Sequence, residues 1–234
     1  MGRNREMNLR IHEPLTKKYN GQGNYCPDGL INDKNEAHYL NSKYRIAYIL
    51  KESYQNEGDD GDCRGFNDTI SATFNRNKAK DLLLVSKIFD GHKPTLEELS
   101  NYEALRSFNG SFPYCWINLK KLAGGSRTSG TEVFDHFMAD KDIIRQQVEI
   151  SRANILICGG KIATDKGEQW IANLLIDELY QNDGFTMLNE WVYHSPSKGM
   201  YIINNFHPSY AQGEDKYLLK MNEVKIAFKI SLSN

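Results

Sequence analysis

Residues 45–50 read RIAYIL and residues 154–160 read NILICGG. Each is a short, unbroken apolar run, the pattern of a strand buried on both faces inside a parallel sheet rather than of a half-exposed strand that alternates. YCWINL (114–119) is a second strand between them, and WVYHS (191–195) and MYIINNF (200–206) are two more, joined by the turn PSKG. The intervening segments carry helical periodicity. Residues 67–91 and 95–108 read as helices, the second opened by Thr95 and Glu98 in capping-box spacing. In 131–152, Val133, Phe134, Phe137, Ile143, Ile144 and Val148 recur at helical spacing. Residues 167–181 and 215–231 give two further helices, and 32–43 a short one. Buried strands alternating with helices predict a three-layer α/β/α sandwich around a mostly parallel sheet of about four or five strands.

At 234 residues the chain is most simply one domain over 31–234, preceded by an extended arm over 1–30 that mixes charge, Asn, Gly and Pro. Lys and Arg number 29 against 30 Asp and Glu, so no global field draws the protein to nucleic acid or to a membrane, and any basic patch must be local. The N-terminus has no apolar run of signal-peptide length and no segment reaches the length of a membrane span, which predicts a cytoplasmic protein, taken as a monomer. Cys26, Cys63, Cys115 and Cys158 include no CxxC pair, which argues against a zinc ribbon or a short cluster-binding loop. Cys115 and Cys158 fall inside strands and read as buried thiols. Asp59, Asp60 and Asp62 stand in a Gly-rich loop, where solvated turn chemistry is the plainer reading than a hard-cation site. Neither a metal nor a cofactor is expected.

In an open α/β sheet, ligands bind outside the carboxyl ends of the strands. Four segments follow those ends: KESYQNEGDDGDCRGF after the first, NLKKLAGGSRTSG after the second, GGKIATDKG after the third and HPSY after the last. The last is the most pointed, because a proline stops the strand and leaves His207 at its tip.

Taken together, these loops resemble the uracil-DNA glycosylase superfamily, nearest in style to its iron-sulfur branch though without that branch's cluster-cysteine spacing. ILKESY is similar to the family's first motif, DCRGF to its Arg-x-Phe element, WINLKK to the strand that ends in a base-reading Asn, ANILICGGKIA to the third strand with its glycine turn, and NFHPSY to the His-Pro-Ser motif. The likeness runs in order from about residue 45 to 210. It implies a DNA glycosylase that hydrolyses the N-glycosidic bond of a damaged or modified base, without a cofactor. Glu52 would orient or activate water, and His207 would donate a hydrogen bond to the leaving base. Phe66 or Tyr54 would stack on the flipped base, and Asn118 would read its edge. Ser53 belongs to the same loop. Ser209 would hold a flanking phosphate, with Lys120, Lys121 and Arg127 supplying local charge.

The first loop departs from the family's pattern. Lys51 stands where glycine is usual, Ser53 where the most active members have aspartate, and Tyr54 in place of proline. Plainer readings sit beside each role: Glu52 as half of an ion pair, Asn118 as a strand-end hydrogen-bonding residue, the lysines as solvated surface, and Phe66, Trp116 and Phe112 as core. Two alternative functions follow. One is a non-catalytic module that binds a nucleobase, nucleotide or nucleic acid, single- or double-stranded; the other is an N-glycosidase acting on a small nucleotide or nucleoside.

Overall fold

The computed structural model describes residues 6–19, 28–52, 72–122, 131–210 and 213–233, with side chains at 221 and 230–233 left aside. Among the described residues, helices α1 (Glu6–Tyr19), α2 (Glu36–Asn41), α3 (Thr73–Phe89), α4 (Leu96–Ser100), α5 (Tyr102–Ser111), α6 (Glu132–Ser151), α7 (Ile171–Leu179) and α8 (Glu214–Ser233) are interspersed with nine strands. These are β1 (Gly29–Ile31), β2 (Ile46–Leu50), β3 (Tyr114–Asn118), β4 (Ile155–Gly159), β5 (Lys161–Thr164), β6 (Gly167–Trp170), β7 (Thr186–Asn189), β8 (Val192–Ser195) and β9 (Met200–Asn205).

The main sheet has seven strands in the order β1-β3-β2-β4-β9-β8-β7. Its centre, β3-β2-β4-β9, is parallel, while β1 and the β7-β8 pair join antiparallel at the two flanks. The sheet is therefore larger than the four or five strands expected, and mixed. The additions were hard to read: β1 is three residues long, and TMLN of β7 is neither apolar throughout nor alternating.

All five residues of β2, β3 and β4 are buried, as the continuous apolar runs require. Side chains alternate between two cores. Tyr48, Trp116, Ile157 and Ile203 face a cluster with Leu82, Val85, Ile88 and Val224 of α3 and α8. Ala47, Ile49, Cys115, Ile117, Leu156, Cys158 and Ile202 face another with Met7, Ile11, Phe137, Ile144 and Leu175 of α1, α6 and α7.

Where the segment expected as an extended arm is described over 6–19, it is helical. Residues 6–19 form α1, which packs on α6 and buries Met7, Ile11, Leu15 and Tyr19, an i, i+4, i+8, i+12 stripe that the surrounding charge obscures. The capping box at Thr95 and Glu98 forms, but the helix it opens ends at Ser100, and Asn101 caps a second one through Ala104 N. GEQW, read as the start of a helix, is strand β6, paired with β5 in a separate hairpin. Among the described residues, no helix is long and apolar enough to cross a membrane.

Candidate active site at the carboxyl ends of the parallel strands

The connection after β2 leads to β3 on one side of it, whereas β4, its other neighbour, leads on to β9. The crevice between β2 and β4 is thus the topological switch point, where open α/β sheets bind ligands. Three of the four loops singled out from the sequence converge there. Gly160 follows β4 with φ +107°, a conformation that only glycine adopts without strain. A methyl group on it would lie 3.2 Å from His207 Cβ and 3.6 Å from Lys51 Cε, so the loops after β2, β4 and β9 touch at this point. Gly159 is equally constrained by space, since a methyl there would lie 2.7 Å from Leu50 Cδ2.

His207 is half-buried at the rim. Its Nδ1 accepts a hydrogen bond from the Ser209 backbone N–H (3.3 Å), which places the proton of the neutral ring on Nε2. Burial, followed by the nearby positive charge of Lys51, lowers its pKa to about 4, so the ring is neutral at pH 7. The turn that carries it is fixed from α3: Asn77 Nδ2 donates to the carbonyls of Pro208 (2.8 Å) and Tyr210 (3.1 Å), and the Phe74 ring lies 5.8 Å from the imidazole. Neither Phe74 nor Asn77 was singled out from the sequence, where both merge into the helix pattern.

Glu52, 14 % exposed, forms an ion pair with Lys120 (2.9 Å to Oε2), and the same ammonium meets Glu132 at 2.6 Å. Burial disfavours the Lys120 charge, but the hydrogen bonds to Glu132 and Glu52 outweigh it and hold its pKa above the ordinary lysine value. Lys120 is therefore committed to two carboxylates and is no solvated phosphate contact.

The end of β3 requires a larger correction. Asn118 is 1 % exposed; its Oδ1 accepts from Trp116 Nε1 (3.0 Å) and its Nδ2 donates to Asp28 Oδ1 (3.0 Å). Asp28 Oδ1 also accepts from the Asn118 backbone N–H at 2.9 Å. Lys121 is fully buried and donates to Asp28 Oδ2, the Asn118 carbonyl and Gln147 Oε1. Both residues brace β3 against the segment before β1 and against α6: the Asn118 amide is spent on that brace rather than on a base edge, and Lys121 cannot reach a phosphate. A carboxylate 90 residues upstream is what neither the motif nor its spacing can announce.

Lys78, on α3, is also wholly buried, with its Nζ 4.9 Å from the Trp116 ring centroid and 3.4 Å from Asn75 Oδ1. Desolvation lowers its pKa to about 7. It lies behind Phe74, on the side of the sheet that supports the His207 turn.

Ser209 is exposed, with its N–H committed to His207. Ser53, Tyr54, Phe66 and Arg127 lie outside the described residues, as do Cys26, Cys63, Asp59, Asp60 and Asp62. Cys115 and Cys158 are buried free thiols with pKa values raised by burial. His194 belongs to β8, as the strand reading of 191–195 expects, stacked on Tyr201 at 4.2 Å. Among the described residues, no three His, Cys, Asp or Glu side chains are grouped to hold a metal ion.

Compared with family models, curated proteins and solved structures, the chain finds no match.

Proposed function

We propose that the protein is a hydrolase of N-glycosidic bonds, acting on a damaged or modified base in DNA, on a three-layer α/β/α scaffold of the uracil-DNA glycosylase kind. The observation that carries this reading is His207: a neutral imidazole at the switch point, its Nδ1 occupied as an acceptor and its Nε2–H left as a donor, beside the ammonium-bearing Lys51. Cleavage of a glycosidic bond leaves negative charge on the departing base and positive charge on the sugar. A fixed neutral donor with a cation close by stabilises the first, at no cost of reorganisation during the reaction. Glu52 supplies the carboxylate for the second half of the problem, orienting a water toward the sugar carbon, with Lys120 holding its Oε2. The base must first leave the helix stack to reach this crevice. Asn118 drops out of the substrate-reading set for the reason given above.

Excision from single- and double-stranded oligonucleotides carrying uracil, hypoxanthine, xanthine or modified pyrimidines, scored as alkali-labile sites, tests the reading. We expect His207→Ala to lower excision by about 10²- to 10³-fold, the effect of losing one transition-state donor. Excision that survives both His207→Ala and Glu52→Gln undiminished refutes it.

The Lys120–Glu52 ion pair favours a second reading, a nucleobase-binding module without catalysis, because it takes up part of the only described carboxylate in the loop after β2. Calorimetric binding of bases or nucleotides, with no cleavage across the panel, would select it.

A further inference from the structure

Beside His207, three separate stretches of chain assemble an aromatic surface that the glycosylase reading does not use. Trp170 ends β6, Trp191 lies in the β7-β8 turn, and Phe206 and Tyr210 bracket the His-Pro-Ser turn. Phe206 is the hub: its ring centroid is 5.7 Å from Trp170, 5.5 Å from Trp191 and 5.8 Å from Tyr210, the last nearly parallel at 19°. Lys161 Nζ lies 4.9 Å from the Trp170 centroid, and Lys216 Nζ lies 4.8 Å from both Phe206 and Tyr210. Trp170, Trp191 and Phe206 are half-buried, so each keeps surface in contact with water, and Tyr210 is 56 % exposed.

An aromatic group whose only task is to anchor a hairpin has no need of a tyrosine at its outer end, or of two ammonium groups laid over its rings. Aromatic faces flanked by cations are the chemistry that holds unpaired bases and their phosphodiesters. We propose that this surface is a stacking platform for single-stranded nucleic acid, holding nucleotides next to the one presented to His207. The inference deepens the proposed function and rests on it for the identity of the neighbouring site.

The charge balance sharpens the expectation. Glu190 Oε1 accepts from Trp191 Nε1 (3.0 Å), which places a carboxylate at the platform's edge. Binding therefore relies on stacking more than on phosphate contacts. With two lysines engaged, the slope of log K against log salt for a single strand should be only about −1.4. A duplex, whose bases are already stacked on each other, should bind more weakly.

Tryptophan fluorescence reads the platform directly, since two of the three tryptophans lie in it and the third, Trp116, is buried. The full chain is titrated with an eight-nucleotide oligothymidylate, with a duplex of the same length, and with heparin as a polyanion lacking bases. We expect saturable quenching by the single strand, with affinity at least about tenfold above the duplex and no comparable quenching by heparin. Tyr210→Ala should weaken the single strand by about tenfold, Tyr210→Trp should retain it, and thermal melts should show both variants folded. Equal response to heparin or duplex, no quenching by the single strand, or unchanged affinity in folded Tyr210→Ala would overturn the proposal. Base excision is scored on the same preparations. Strand binding without excision removes the glycosylase reading and leaves the platform, whereas excision with no effect of Tyr210→Ala on affinity removes the platform alone.

Discussion

The ends of β3 and β9 belong to the same parallel sheet, and both run from apolar residues into polar ones, yet they serve opposite purposes. At β3, Asn118 and Lys121 turn inward and close on Asp28, Trp116 and Gln147 until the donors and acceptors described for them are matched inside the protein. At β9, proline halts the chain, Asn77 pins the turn from outside, and His207 stays at the rim with one ring nitrogen committed. A polar strand end is a brace where an internal partner reaches it, and a candidate site where the partner set is incomplete and water has access.

The largest test of that contrast is Asp28→Ala. It leaves the Lys121 charge buried without its carboxylate, and should cost about 3–5 kcal/mol of stability in urea unfolding. A loss below about 1 kcal/mol would mean that the β3 end is not the closed brace described. Next, Asn118→Ala strips acceptor and donor from Trp116 and Asp28, with an expected loss of about 1–3 kcal/mol by the same measurement. If it abolished excision while leaving stability intact, Asn118 would return to the substrate-reading set. At the other end, Gly160→Ala should cost about 1–3 kcal/mol, because alanine is strained at φ +107° and its methyl presses on His207. Activity should fall with it, whereas a neutral substitution would show that the switch-point loops do not touch as described.

The last test is a slope rather than a step. With a folded pKa of about 4 against an ordinary value near 6.5, His207 binds its proton more readily in the unfolded chain. Its contribution is fully present above pH 6.5 and is lost as the pH falls toward 4. Thermal melts between pH 7 and pH 4 should show this decline, and His207→Gln should flatten that part of it. The imidazole resonance of His207, followed by NMR, should titrate near 4, well below the ordinary value of about 6.5; a midpoint near 6.5 would place the ring in water and separate it from Lys51.

Much of the sheet was legible because its signal is local. Continuous apolar runs at 45–50, 114–119 and 154–160 mark strands buried on both faces, and the strand-ending proline at 208 marks a rim residue. The helix α1 was missed because its apolar stripe is four residues among charges, and its burial comes from α6, more than a hundred residues away. The hairpin β5-β6 was missed because KIAT and GEQW are four residues each and gain their pairing only from one another.

In the candidate site the division is sharper. That His207 stands at a strand end follows from the order of residues alone, since proline cannot extend the ladder. The sequence by itself also determined that the central strands are parallel and buried, and that their carboxyl-end loops are where polar chemistry collects. Only the tertiary structure decided which polar groups are taken: Lys120 by Glu52 and Glu132, Lys121 and Asn118 by Asp28, and the Nδ1 acceptor of His207 by the Ser209 N–H. The reason is physical. A strand's burial is set by side chains two residues apart, whereas the satisfaction of a buried charge depends on a partner that the chain can place anywhere along its length.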